Sequence, residues 1–145
     1  MSVPSRLEAN KRLALQFLEL ATAGKAQECL ELMSTDATWW VLGDPARLKI
    51  SGTMDRTKIA RMLKGFARLL REPMRLAVRG MTAEGERVAV EAAGVGVWRN
   101  GAPYSNSYHF LFEVRDARVT ALREYMDTLH VFEITQQDAG GDNAR

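Results

Sequence analysis

The sequence predicts an α+β fold in which helices lead and an antiparallel meander follows. Three observations carry this reading. Apolar residues recur at helical spacing in the stretches before Pro73. β-forming runs broken by turn signals then fill the chain as far as Asp127. Apart from one strand between the helices, the two patterns do not interleave.

Each element has a local reason. Ser5 is placed to cap a first helix whose apolar positions are Leu7, Leu13, Ala14, Phe17, Leu18 and Ala21. Gly24 separates it from a second helix over Lys25–Met33. Asp36–Leu42 is rich in β-formers and reads as a strand, broken by Gly43-Asp44-Pro45. Residues 46–52 form a loop or short strand. Asp55 or Thr57 opens a third helix that carries Ile59, Met62, Leu63, Phe66 and Leu70 on one side and stops before Pro73. Four strands follow, Met74–Thr82, Arg87–Trp98, Tyr104–Val114 and Val119–Asp127, with Asn100-Gly101 as a hairpin signal. Residues 128–135 read as an extension or short helical turn.

At 145 residues and 46% hydrophobic content, the chain is expected to form one domain over residues 1–135, with a polar, Gly-rich, flexible tail over 136–145. A net charge of +2 speaks against nucleic acid as a partner. Arg61, Lys64, Arg68, Arg71, Arg75 and Arg79 concentrate the basic charge and read mainly as the solvated face of the third helix. Cys29 is the only cysteine, so no intrachain disulfide is possible, and it reads as a small buried hydrophobe. With only His109 and His130 beside it, no zinc ligand set is expected, so metal: none. The start lacks a signal segment, and no run reaches the ~18 apolar residues of a membrane span. A cytoplasmic protein without a membrane partner is expected.

Alternation along the strands picks out the chemistry. Leu122, Glu124 and Met126 share one face of the last strand, and Glu91 shares a face with Ala89, Ala93 and Val95. A carboxylate among apolar neighbours is costly unless paired or protonated, so two of them suggest a pocket that moves protons. The plainer alternative is a surface glutamate at a sheet edge, or a structural hydrogen bond. Asn106 and Tyr108 share a face with Tyr104, Phe110 and Phe112 on the strand expected between the two glutamates. Glu91 and Glu124 then stand roughly 10 Å apart, suited to an acid and a base on either side of a small substrate. Tyr108 and Asn106 are placed to hold an oxyanion, or else to satisfy a glutamate and stiffen the sheet. Trp39, Phe17, Met62, Phe66, Phe110, Leu122 and Met126 supply walls suited to a flat, apolar, cyclic or aromatic molecule, or simply core. Val88, Val90, Ala92 and Gly94 are expected on the opposite face with Ser105, Ser107, His109, Arg123 and Tyr125, a small-residue strip suited to a homodimer.

Several stretches resemble the NTF2-like superfamily, specifically its SnoaL-like, ketosteroid isomerase-related subgroup. They are Asp36-Ala37-Thr38-Trp39-Trp40 followed by Gly43, Ala83-Glu84-Gly85-Glu86-Arg87-Val88-Ala89-Val90-Glu91, Asn100-Gly101-x-x-Tyr104-x-Asn106-x-Tyr108-His109-Phe110-Leu111-Phe112-Glu113, and Arg123-Glu124-Tyr125-Met126-Asp127-Thr128-x-His130. The resemblance covers roughly residues 5–135. It implies an NTF2-like cone (a cystatin-like roll), with N-terminal helices packed in a curved antiparallel sheet. It also implies a pocket side carrying Glu91, Val95, Asn106, Tyr108, Leu122, Glu124 and Met126, and a homodimer through the outer face.

The resemblance also marks departures. The place of the ketosteroid isomerase base is Val41, and that of its helix tyrosine is Phe17. Against limonene epoxide hydrolases, Glu91 and Ala93 stand where an arginine and an aspartate belong, and Trp39 and Val41 replace the residues that hold water. The function implied is a cofactor-independent acid/base enzyme of the isomerase, lyase or cyclase type. It would act through Glu124, Glu91, Tyr108 and Asn106 on a small hydrophobic molecule lined by Trp39, Phe17, Val41, Met62, Phe66, Val95, Phe110, Leu122 and Met126. The alternatives are a non-catalytic binding or dimerisation module of the same fold, or an epoxide hydrolase-like activity.

Overall fold

The computed structural model describes residues 2–142, with side chains as far as Gln136. Helix α1 runs Val3–Thr22 and α2 Ala26–Glu31; strand β1 follows at Met33–Val41, β2 at Gly52–Met54 and helix α3 at Arg56–Leu69. Strands β3 (Arg75–Glu84), β4 (Arg87–Val97), β5 (Pro103–Arg115) and β6 (Arg118–Met126) then form the meander, and α4 closes the chain at Thr128–Asp142. The six strands make one curved sheet in the order β2-β1-β6-β5-β4-β3. It is mixed rather than wholly antiparallel, because β1 joins β6 in parallel while every other pairing is antiparallel.

Local signals explain most boundaries. Helix α1 begins at Val3 with Pro4 in its first turn, where the missing N–H costs nothing. Ser5 therefore lies inside the helix, and its hydroxyl donates to the Ser2 carbonyl rather than capping. Asp55 caps α3 by accepting from the Lys58 N–H at 2.9 Å. β1 starts at Met33, earlier than its β-forming run, because the ladder with β6 already begins at Met33 and Val119. Residues from Gln136, expected to fray, continue α4 as far as Asp142, while 143–145 lie outside the described residues. The Asp127 carboxylate accepts the N–H groups of Leu129 and His130 and so starts α4.

The core lies between α1, α3 and the concave face of the sheet. Phe17 sits at its centre, tilted against Trp39 and edge-on to Phe112, with centroids 5.6 Å apart in both pairs. Cys29 is fully buried, and burial pushes its thiol up to about 12, so it behaves as a small hydrophobe.

The β5–β6 turn carries Asp116 and Ala117, both at positive φ (51° and 57°). Such a pair is the geometry of a type I′ hairpin, in which alanine pays for its Cβ. Ala117→Gly is expected to raise stability by about 0.5–1 kcal/mol, read as a higher urea midpoint at unchanged slope.

Candidate functional site

Register decides which side chains meet on the concave face. Glu124 on β6 is flanked by Val41 on β1 and Phe110 on β5, with Leu122 and Met126 along its own strand. Every neighbour in the sheet is apolar. Among the described residues no donor lies within hydrogen-bonding distance of the Glu124 carboxylate, which borders a cavity of about 420 Å³. Glu124 is half-buried, and desolvation of its carboxylate, without a compensating charge, raises its pKa from 4.5 to about 7.

Beside it runs a chain of hydroxyls. The Asn106 Nδ2 donates to Tyr104 Oη at 3.2 Å, and Tyr104 Oη and Tyr108 Oη stand 2.5 Å apart. With Tyr104 accepting from Asn106 and donating to Tyr108, the Tyr108 proton is left with Met74 Sδ at 3.8 Å, a weak acceptor. The Tyr108 hydroxyl is thus the free end of a polarised donor chain. Burial first, and then the nearby Tyr104 and Glu124, raise the Tyr108 pKa. Tyr104 is likewise raised, chiefly by burial. Both hydroxyls therefore stay protonated as donors.

Asn106 itself is 5% exposed and does not border the cavity. Its other contacts tie β5 to the β6–α4 junction: the Asp127 N–H donates to its Oδ1 at 2.9 Å, and its Nδ2 reaches the Asp127 carbonyl at 3.1 Å. It acts as a clamp that aims Tyr104. His130, on the first turn of α4, stacks on Tyr104 with centroids 5.3 Å apart, and its Nε2 accepts the Ser105 N–H at 3.4 Å.

The structure corrects part of the sequence reading. Glu91 is exposed on the outer face of the sheet, opposite His109, and does not reach the cavity. Val95, 42% exposed, lies on the same outer face. The inner face of β4 is instead Val88, Val90, Ala92 and Gly94. The reason is steric. Ala92 pairs with Tyr108 and Gly94 with Asn106, and a Cβ at Gly94 would lie 2.8 Å from Met74 Sδ and 3.0 Å from Tyr108 Cε2. Small residues face inward so that the Tyr108 ring can lie over them. The outer strip is therefore Ala89, Glu91, Ala93 and Val95 with Ser105, Ser107 and His109, not the valine–glycine strip.

Of the expected walls, Trp39, Val41, Met62, Phe66, Phe110 and Met126 border the cavity. Phe17 and Leu122 do not; they are buried beneath it, at 0% and 1% exposure. Tyr104, Met74 and Trp98 are lining residues the sequence reading left unassigned. Tyr104 was legible, since it shares the alternating face of Tyr108. Trp98 follows β4 directly, borders the cavity and is bridged to Leu70, a pairing no local pattern announces. Among the described residues, no group of three or more His, Cys, Asp or Glu side chains is arranged to hold a metal ion, and no helix is long and apolar enough to cross a membrane.

Comparison with known proteins agrees with this architecture. A search of curated proteins finds no match. Among solved structures, PrhC from Penicillium brasilianum superposes with a TM-score of 0.82 at 15% identity, covering 96% of this chain and 93% of that one. An NTF2-like protein from Burkholderia xenovorans gives a TM-score of 0.66 at 23% identity, covering 86% and 93%. TerC, co-crystallised with polyporic acid, gives 0.68 at 21%, covering 83% and 96%. At such identities these likenesses concern the fold. The sequence model of the SnoaL-like domain matches residues 14–122, well over half of the chain. With the curved sheet and helices of the NTF2-like fold around the cavity, the chain belongs to the SnoaL-like domain family.

Proposed function

We propose that the protein is a cofactor-independent enzyme that shuttles a proton on a small, cyclic or aromatic carbonyl compound. The observation that carries this reading is one unpaired carboxylate beside one free hydroxyl donor in the same apolar cavity. Glu124, with a pKa raised to about 7, populates both protonation states near neutral pH, as a proton shuttle requires. Its ionised form takes a proton from the carbon next to a carbonyl. Tyr108, polarised through Tyr104 and Asn106, donates to the oxygen on which the negative charge collects. Glu124 then returns the proton to a second carbon, which is an isomerisation. Expulsion of a leaving group or attack by the carbanion on a second carbonyl gives the lyase and cyclase variants.

With Glu91 outside the cavity, this scheme uses one carboxylate and one neutral donor instead of two carboxylates. Val41, where the ketosteroid isomerase resemblance places the base, is the register partner of Glu124, so the carboxylate stands one strand away on the same face. TerC, of the same fold, is co-crystallised with polyporic acid, and a ring compound of that kind suits a cavity walled by Trp39, Phe66 and Phe110. A second copy of the chain docking on the outer strip belongs to the same reading. It is supported by exposed Val95 and Tyr125 there and is read by sedimentation equilibrium.

The test needs no knowledge of the product. Cyclic ketones and enones incubated with the protein in heavy water are expected to gain deuterium beside the carbonyl, read by NMR. The rate should rise with pH through about 7 as Glu124 ionises. A folded Glu124→Gln variant is expected to lose this exchange by roughly 10²–10⁴-fold. Exchange at the wild-type rate in that variant would sink the assignment.

A further inference from the structure

The cavity-facing stripe of α3 is not uniformly apolar. Lys58, Arg61, Met62, Gly65, Phe66 and Leu69 follow helical spacing and all border the cavity. At the N-terminal end this stripe is cationic; toward the C-terminal end it is apolar. Lys64 and Arg68, read from sequence as solvated helix face, lie off the stripe; Arg61, read with them, is exposed but borders the cavity, as does Lys58, which that reading did not name. Lys49, on the loop between β1 and β2, borders the same cavity, so cations come to it from two separate segments.

Three further facts bear on these cations. All three are exposed, and among the described residues none has a carboxylate within 4.0 Å, since the ion pairs found are Lys11–Glu8, Arg115–Glu86 and Arg123–Glu113. Asp55, the carboxylate at the start of α3, is engaged by the Lys58 backbone N–H at 2.9 Å and forms no ion pair with the Lys58 ammonium. Desolvation sets the upward shift of Glu124, and none of these cations pulls its carboxyl down. Positive charge is gathered on exposed residues at the border of the same cavity that holds the half-buried Glu124 carboxylate. Gly65, midway along the stripe, faces open space, with nothing within 4 Å of where its Cβ would stand.

We infer that Lys49, Lys58 and Arg61 form an anion-binding mouth, and that the ligand is a small amphiphile: an apolar ring body carrying one carboxylate. The carboxylate stays in the mouth, where partial solvation keeps the cost of binding a charge low. The ring enters between Met62 and Phe66 and is thereby turned toward Glu124 and Tyr108. This rests on the proposed function for the role of the inner end only; the mouth is a binding site whether or not Glu124 turns anything over.

The experiment measures binding. The neutral fluorophore N-phenylnaphthylamine reports occupancy of the cavity in the intact protein, and naphthoate competes against its own methyl ester. At about pH 6 naphthoate is an anion while most Glu124 is protonated. Naphthoate is expected to displace the dye at roughly tenfold lower concentration than the ester in ~10 mM salt, with the advantage shrinking in ~500 mM salt. The triple variant Lys49→Gln, Lys58→Gln, Arg61→Gln, altered only at exposed positions, should keep its dye affinity and lose the preference. Glu124→Gln should retain the preference, which separates this inference from the catalytic one. No dye binding, an ester that competes as well as the acid, or a preference that survives the triple variant would each overturn it.

Discussion

Glu124→Gln is expected to stabilise the protein above neutral pH while it slows the proposed proton transfer. The folded-state pKa, raised to about 7, lies above the ordinary 4.5, so the folded protein binds this proton more tightly than the unfolded chain. Stability from this group is therefore full below about pH 4.5 and falls as pH rises to about 7. Above that the penalty is constant, of order 3 kcal/mol. Glutamine keeps the shape and carries no charge, so it escapes that penalty. Urea unfolding is expected to show a gain of about 2–3 kcal/mol at pH 8 and little difference near pH 4. A gain of equal size at both pH values would mean that packing rather than charge is responsible. A half-buried carboxylate that weakens the fold fits the proposed role of Glu124 in proton transfer.

Phe17→Ala is expected to produce the largest loss of stability, about 3–5 kcal/mol, a large share of what a domain of this size possesses. The ring is 0% exposed and joins α1 to the sheet through Trp39 and Phe112. Removing it forfeits the transfer energy of the side chain, leaves a cavity, and breaks two aromatic contacts worth about 0.5–1.5 kcal/mol each. Because Phe17 lies beneath the cavity and not on its wall, the surviving folded fraction should bind N-phenylnaphthylamine with unchanged affinity. Phe66→Ala, by contrast, removes a wall and should weaken dye binding more than it weakens the fold.

The legibility of these features from sequence followed side-chain contrast. On β5, large rings and Asn106 alternate with Ser105, Ser107 and His109, so only one face can be inside, and the reading of Tyr104, Tyr108, Phe110 and Phe112 as inward agrees with the structure. On β6, Leu122 and Met126 against Arg123 and Tyr125 placed Glu124 inward, where it lies. On β4 both faces are small and mostly apolar, so alternation carries no direction. The face was settled by the Tyr108 ring on the neighbouring strand, and Glu91 falls outside with the other odd-numbered residues. Arg61 was read only as solvated helix face, and Lys58 was not singled out, for a related reason: a charged residue on an amphipathic helix reads as solvent-facing, and only the folded sheet shows that both border a cavity. Helix α4 begins from an aspartate cap that strand-like neighbours disguise.

The parallel pairing of β1 with β6 has a consequence for the order of assembly. β6 leaves the ribosome after the other five described strands, yet it lies in the interior of the sheet, between β1 and β5. Until it arrives, the nascent chain holds two separate pieces, the β2–β1 pair and the β3–β4–β5 meander, each with an unpaired edge where β6 will fit. Glu124 is carried in on the strand that joins them. No partly made chain can therefore present its carboxylate in a finished cavity, and the open edges must wait for a long-range closure of the kind that folds slowly and invites chaperones.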